Sequence, residues 1–104
     1  MAWAEQLGSD LHRLGSVQRS LRHGIRKNRA YVFNALAPGY FETELTRALV
    51  EDNEFSAWVR GRTPAGRWGK VEDLIGALVF LASPASDFVN GQVLFVDGGM
   101  TAVV

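Results

Sequence analysis

The chain has 104 residues, of which 47% are hydrophobic and 21% charged, a composition typical of one small globular domain rather than a disordered protein. It contains no cysteine, which excludes disulfide bonds, thiolate metal sites and cysteine nucleophiles. The formal net charge is zero, but residues 1–30 carry six basic against two acidic side chains, and residues 31–104 carry five against nine.

The first predicted element is a basic helical segment over residues 1–29. Its apolar residues recur every three or four positions, as on one helical stripe: Leu7, Leu11, Leu14, Val17, Leu21 and Ile25. Three glycines interrupt the stripe, and each costs about 1 kcal/mol relative to alanine in a helix interior. The stretch RSLRHGIRKNR has the charge of a phosphate-binding patch or a transit peptide. A solvated basic helix is the favoured interpretation, so no nucleic-acid partner is predicted.

The second region, residues 30–104, alternates strand and helix patterns. Strands are predicted over 30–37 and 92–99, and helices over 43–62 and 71–83. The first strand ends at a Pro-Gly pair and the second at a Gly pair, both of which favour turns. This order predicts an α/β fold, a βαβ unit with two parallel strands and covering helices.

The two helical patterns differ in regularity. Helix 43–62 is expected to break in two at Asp52 and Asn53. Helix 71–83 has one continuous apolar stripe, formed by Val71, Leu74, Ile75, Leu78 and Ala82. The apolar runs of the chain are too short to span a membrane, so no membrane partner is predicted.

Three motifs of the second region carry a resemblance to a known family: NALAPGYFET, TPAGRWGKVEDLIGALVFLAS and ASDFVNGQVLFVDGG. Over residues 33–104 the chain resembles the C-terminal part of short-chain dehydrogenases/reductases, with the motifs in the family's order and spacing. The resemblance implies a partial Rossmann-type (doubly wound) domain whose cofactor is NAD or NADP. Strands 30–37 and 92–97 would be the family's sixth and seventh strands.

The resemblance also implies a cofactor-binding turn after the first strand. By motif position, Pro38, Gly39 and Tyr40 line the nicotinamide ring. The backbone of Phe41 meets the carboxamide, and Thr43 offers a hydroxyl nearby. A carboxamide needs one donor and one acceptor held in a plane, and a proline-stiffened turn supplies both with little loss of entropy. Thr43 is equally well placed as the N-cap of the following helix, and the two roles are compatible.

Other conspicuous residues are interpreted as structural. Asp97 belongs to a turn after the last strand, and Trp58 and Trp68 are packing residues. Arg67 is expected to hold its loop by hydrogen bonds rather than to contact substrate. The two histidines lie eleven residues apart in the basic segment, and without cysteines they predict no metal site.

No catalytic residue is assigned, because the family's catalytic pattern is missing. The family uses a serine and a Tyr-x-x-x-Lys pair, in which the lysine lowers the pKa of the tyrosine that transfers a proton. Here Tyr31 is followed at the fourth place by Ala35, and Tyr40 by Glu44. The family's glycine-rich phosphate turn, G-x-x-x-G-x-G, is absent as well.

The sequence therefore predicts a C-terminal fragment of a cytoplasmic NAD(P)-dependent oxidoreductase, inactive alone. The complete enzyme would transfer hydride between the nicotinamide cofactor and an alcohol or carbonyl substrate. Two alternatives stay open: an enzyme completed by another chain, and a non-catalytic oligomerisation module built from the family's subunit-interface elements. The expected partners are a second copy of the chain or a full-length relative. Residues 1–32 are interpreted as an insertion, a change of reading frame or an alternative N-terminus.

Overall fold

The computed structural model describes residues 2–27 and 31–103. In chain order its helices and strands are α1 Ala2–Lys27, β1 Ala35–Pro38, α2 Arg47–Glu51, α3 Asn53–Arg62, α4 Ile75–Ala82 and β2 Val93–Val96. Short 3-10 helices cover Val71–Leu74, Pro84–Ser86 and Met100–Ala102.

The two strands pair in parallel, as the sequence predicts. Ala35 is opposite Val93 and Pro38 is opposite Val96. The Gly39 N–H continues the pairing by donating to the Val96 carbonyl at 2.9 Å. The helices between the strands complete the predicted βαβ unit, and the carboxyl ends of both strands lie at one edge of the sheet.

Strand β1 is shorter than predicted and begins at Ala35 rather than at residue 30, which lies outside the described residues. The preceding residues bond to the loop before β2 through side-chain amides. The Phe33 N–H donates to Asn90 Oδ1 at 2.8 Å, and Asn34 Nδ2 donates to the Val89 carbonyl at 2.9 Å. With one backbone bond, from the Gly91 N–H to the Phe33 carbonyl at 2.7 Å, these amide bonds precede the regular pairing, which starts at Ala35.

The predicted helix 43–62 divides at the expected place but starts later than expected. Asp52 separates α2 from α3 and caps α3, because its carboxylate accepts the Phe55 N–H at 3.0 Å. Thr43 is not a helix cap, so that interpretation is wrong. It begins a turn in which the Thr46 N–H donates to the Thr43 carbonyl at 3.1 Å, and α2 starts only after Thr46.

The apolar stripe predicted for helix 71–83 is also wrong in part. Its first turn is a 3-10 helix, and in α4 the half-buried residues are Ala77 and Leu81, continuing from Leu74. Much of the predicted stripe faces outward instead, with Ile75 54% and Leu78 56% exposed. The helix is apolar on nearly every side, and its main contacts are with the 3-10 helices that flank it, Val71–Leu74 and Pro84–Ser86, so much of its apolar surface stays exposed.

The buried core lies between α3, the loop after it and the carboxyl ends of the strands. Its apolar members are Ala37, Phe41, Val59, Trp68 and Met100. The Trp68 indole N–H donates to the hydroxyl of buried Ser56 at 3.1 Å, and that hydroxyl donates to the Val50 carbonyl at 2.6 Å. The predicted packing role of Trp68 is thereby confirmed.

The basic segment contains the predicted helix, and α1 runs through all three of its glycines. Gly24 lies against Phe33, and a Cβ atom at residue 24 would make an ordinary van der Waals contact of 3.7 Å with the Phe33 ring. None of the helices within the described ranges is long and apolar enough to cross a membrane.

Candidate functional site

The turn after β1 begins with a close contact to the end of β2. A Cβ atom on Gly39 would lie 2.7 Å from the Cβ of Asp97 and 2.8 Å from its Cα. Only glycine fits at this distance without a shift of the backbone, since real Cβ contacts are longer. The space beside Gly39 is thus occupied by Asp97, while Pro38 before it is exposed.

Tyr40 packs its ring into an aromatic cluster formed with Phe55, Trp58 and Trp68. The ring centroids lie 5.6, 5.9 and 5.8 Å from that of Tyr40, all three in edge-to-face geometry. Its hydroxyl oxygen is buried. This cluster fixes the turn against α3 and the following loop, and it adds Trp58 to the confirmed packing residues.

Phe41 is held by a parallel bridge to Gly69. The Gly69 N–H donates to the Tyr40 carbonyl, and the Glu42 N–H donates to the Gly69 carbonyl, both at 2.8 Å. Residue 69 must be small here, because a Cβ atom would lie 2.7 Å from the Phe41 ring. In this geometry the N–H and C=O of Phe41 itself point away from Gly69.

The two backbone groups of Phe41 differ in what they bind. Its carbonyl accepts a hydrogen bond from the Thr46 hydroxyl at 2.6 Å. Its N–H donates to no other residue in the described part of the chain. Among the described residues, the carbonyl of Phe41 thus has a hydrogen-bond partner and its N–H has none.

Thr46 is the residue of this turn that the sequence reasoning missed. Its hydroxyl oxygen accepts the Thr43 N–H at 2.8 Å and lies 3.2 Å from Thr43 Oγ1. The signal for it was local: two threonines spaced T-x-x-T, the first of them four residues after the glycine of the Pro-Gly pair. Thr43 itself is exposed, with its hydroxyl beside that of Thr46.

Two cavities adjoin the turn. One of about 200 Å³ lies at the carboxyl ends of both strands and is lined by Tyr40, Phe41, Thr63, Ala65, Arg67, Gly69, Asp73, Val96, Asp97 and Gly98. A second of about 310 Å³ is lined by Glu42, Thr43, Glu44, Arg47, Val50 and Glu51. The five predicted cofactor residues thus form one continuous turn, but Tyr40 and Phe41 border one cavity and Thr43 the other.

Arg67 and Asp73 form an ion pair at the mouth of the first cavity. Arg67 Nη1 lies 2.8 Å from Asp73 Oδ2, and Arg67 Nη2 lies 3.2 Å from Asp73 Oδ1. The side-chain bond from Arg67 and the backbone N–H of Lys70 lower the pKa of Asp73 to about 2. The same bond raises the pKa of Arg67. Arg67 also donates to the Trp68 carbonyl at 3.0 Å, so its predicted role in holding the loop is confirmed.

Asp97 directs its carboxylate into its own turn. It accepts hydrogen bonds from the Gly99 N–H at 2.9 Å and from the Thr101 N–H and hydroxyl at 3.0 and 2.6 Å. Partial burial raises the pKa of Asp97, but the bonds from Thr101 and Gly99 outweigh it, and the net pKa is lowered. The Asp97 carboxylate therefore stabilises the turn after β2, which confirms the predicted structural role of this residue.

The described ranges hold no group of three or more His, Cys, Asp or Glu residues placed to bind a metal ion.

Comparison with known proteins identifies relatives of the chain. The sequence model of a family described as Enoyl-(Acyl carrier protein) reductase matches residues 14–101. Gluconate 5-dehydrogenase of Gluconobacter oxydans (strain 621H) is 62% identical over 80 residues, which are 77% of this chain and 29% of that protein. The 5-keto-D-gluconate 5-reductase of Escherichia coli (strain K12) is 66% identical over 83 residues, 80% of this chain and 30% of that protein.

The fold has solved counterparts as well. A crystal structure of gluconate 5-dehydrogenase from Burkholderia cenocepacia J2315, in complex with NADP and tartrate, matches with a TM-score of 0.80 and 59% identity. The match covers 86% of this chain and 36% of that one, so the chain spans about a third of the length of such relatives. The family match starts at residue 14 and reaches further toward the N-terminus than the resemblance from residue 33. With most of its length matched, the chain belongs to the short-chain dehydrogenase/reductase family and has part of its Rossmann-type fold.

Proposed function

We propose that the chain is the C-terminal, cofactor-facing part of an NADP-dependent gluconate 5-dehydrogenase, and that it is inactive by itself. The observation that carries the proposal is the turn from Phe41 to Thr43, in which a backbone N–H that bonds to no other described residue is followed two residues later by an exposed hydroxyl. The names of its relatives, at 62% and 66% identity, favour a gluconate-type hydroxy acid or keto acid as substrate of the complete enzyme.

The polar groups of the turn fit the nicotinamide part of such a cofactor. A carboxamide has a carbonyl that accepts and an NH2 group that donates. The Phe41 N–H is a donor for the first, and Thr43 Oγ1 is an acceptor for the second. When bound, NADP supplies the hydride chemistry, and this chain's own residues bind and orient its carboxamide.

The chain does not supply the proton-transferring group of the reaction. Neither of its tyrosines has the lysine four positions later that would lower the phenol pKa. The catalytic Ser, Tyr and Lys and the glycine-rich phosphate turn would come from the rest of a complete enzyme. Activity of the 104-residue chain alone is therefore expected to be absent.

The test is to complete the enzyme. In a hybrid protein, the completed enzyme, the matching 83-residue segment of the Escherichia coli reductase is replaced by the corresponding residues of this chain. NADPH-dependent reduction of 5-keto-D-gluconate is expected in the completed enzyme and not in the chain alone. A completed enzyme that folds but neither binds NADPH nor reduces the substrate would contradict the proposal.

A non-catalytic oligomerisation module is the second candidate, and a specific observation favours it. The outer side of α4 and part of β2 are apolar and exposed, with Val79 59% and Phe95 43% accessible. Exposed apolar patches of this kind often mark protein interaction sites. A second copy or a full-length relative, sharing the cytoplasm with this chain, is the proposed partner. Co-purification of a tagged chain with the Escherichia coli reductase would support this role, and its absence would weaken it.

A further inference from the structure

The side chain of Thr46 connects the two ends of the turn from Phe41 to Thr43. Its hydroxyl donates to the Phe41 carbonyl at 2.6 Å and accepts the Thr43 N–H at 2.8 Å. We infer that Thr46 is a positioning residue, which holds this turn so that it selects a carboxamide-bearing cofactor. The inference rests on the proposed function and deepens it by naming what sets the selectivity of the turn.

The hydrogen-bond geometry fixes the direction of the bond between the two threonine hydroxyls. A hydroxyl has one proton and two lone pairs. The Thr46 proton goes to the Phe41 carbonyl at 2.6 Å rather than to the Thr43 carbonyl at 3.3 Å. In the 3.2 Å contact between the two hydroxyls, Thr43 must then be the donor.

This direction decides what the turn presents to a ligand. With its proton committed to Thr46, Thr43 Oγ1 offers only lone pairs, while Phe41 offers its N–H. One donor and one acceptor, two residues apart on the same turn, complement a carboxamide. A carboxylate in the same place has acceptors only, so it would meet the lone pairs of Thr43 without a proton between them. Thr46 thereby favours nicotinamide over the corresponding acid.

The role is distinct from capping α2, although Thr46 stands at the N-cap position. A capping threonine ordinarily accepts a backbone N–H of the first helical turn through its hydroxyl. The Thr46 side chain makes no such bond to α2. Its hydroxyl is turned back toward Phe41 and Thr43, and its hydrogen-bonding capacity is used there.

Three substitutions in the completed enzyme separate the two roles. Thr46→Ser keeps the hydroxyl. Thr46→Asp is a strong N-cap with a favourable charge at a helix N-terminus, but at neutral pH it has no proton for the Phe41 carbonyl. Thr46→Val keeps the shape and removes both hydrogen-bonding functions.

The measurements are the Kd of NADPH by fluorescence titration and the ratio of Kd values for NADP⁺ and nicotinic acid adenine dinucleotide phosphate. In the Thr46→Ser enzyme, both the Kd of NADPH and the ratio of Kd values are expected to stay within about twofold of those of the unsubstituted enzyme, because the hydroxyl remains. Thr46→Asp and Thr46→Val are expected to weaken NADPH binding about tenfold and to lose the preference for the amide, because a hydrogen bond to the turn is gone.

The outcomes are separable from those of the proposed function. If the unsubstituted completed enzyme does not bind NADPH, the proposed function fails, and this inference fails with it. If the unsubstituted enzyme binds NADPH and the Thr46→Asp enzyme has the same Kd and the same preference for the amide, Thr46 is only a helix cap. The inference is then overturned, while the proposed function stands. Amide hydrogen exchange in the 104-residue chain gives a second readout. The Thr43 N–H should exchange faster in Thr46→Val and not in Thr46→Ser, and equal rates in both would overturn the inference.

Discussion

Gly39 and Asp97 touch at the carboxyl ends of the two strands, where a Cβ atom on residue 39 would lie 2.7 Å from the Asp97 Cβ. The φ angle of Gly39 is not positive, so glycine is needed at this position for the close approach of Asp97 and not for an unusual backbone conformation. The contact ties the start of the proposed cofactor turn to the end of the last strand. Any residue larger than glycine must separate the two.

Gly39→Ala is therefore expected to destabilise the fold by about 1–3 kcal/mol, the usual cost of an overpacked contact. The matched control is Gly61→Ala in α3, where an added Cβ would meet nothing within 4 Å. That change is expected to be neutral or to stabilise by up to about 1 kcal/mol, because alanine favours a helix. Urea unfolding followed by circular dichroism, at one fixed protein concentration, compares the two. Equal effects would contradict the close contact.

Ser56→Ala tests the polar centre of the core. The Ser56 hydroxyl lies between the Trp68 indole N–H and the Val50 carbonyl, and its residue is only 3% exposed. Its removal leaves the buried Trp68 N–H and the partly buried Val50 carbonyl without this partner, at an expected cost of about 1–3 kcal/mol. Chemical unfolding monitored by tryptophan fluorescence gives the value. Ser20→Ala, at an exposed position of α1, is the control, and a loss no larger than in that variant would refute the prediction.

Acid sensitivity tests the Arg67–Asp73 pair. The pKa of Asp73 is lowered to about 2 in the fold, from an ordinary value of 3.8. A lowered carboxylate pKa contributes stability that is present above the unfolded pKa, and this contribution is lost as the pH falls from about 4 toward 2. Asp73→Asn should remove this part of the pH dependence and lower stability at neutral pH.

Arg67→Gln removes the other partner of the pair and provides a double-mutant cycle with Asp73→Asn. If the two side chains act through one ion pair, the loss of stability in the double variant is smaller than the sum of the losses in the two single variants. Unfolding curves between pH 7 and pH 2 supply all four corners of the cycle. Strict additivity would show that the pair is not energetically coupled.

Self-association is the prediction for the exposed face of α4. Ile75, Leu78 and Val79 are each more than half exposed, and apolar surface of this extent is usually covered. Sedimentation of the chain over a range of concentrations should show association that Leu78→Glu weakens. Ala57→Glu, an equal charge change at an exposed position of α3, should leave it unchanged. A chain that stays monomeric and melts in one sharp cooperative transition would count against this prediction.

Much of the fold could be predicted because it depends on neighbours in the sequence. The break between α2 and α3 follows from Asp52, which caps the next helix three residues on. The role of Arg67 follows from an acid six residues away. The parallel pairing of the strands follows from the order of strand and helix patterns, which allows few topologies.

The proposed cofactor residues were found through the family motif rather than through their own chemistry. The role of Thr46 could also have been predicted from the sequence, since its hydrogen-bond partners lie only three and five residues away. It was missed because the predicted helix began at residue 43, which placed Thr46 inside the helix and not in the turn before it. Only the placement of its hydroxyl shows that it serves the turn.

The sequence by itself determined the elements, their order and their parallel pairing, because these follow from periodicity, caps and turn residues close together in the chain. Tertiary structure alone decided where β1 begins, since the amide of Asn34 bonds to a residue 55 positions away. It also decided that Asp97 fills the space beside Gly39, and which side of the apolar helix α4 is covered. These outcomes depend on contacts between residues that are far apart in the sequence, and local sequence patterns do not predict such contacts.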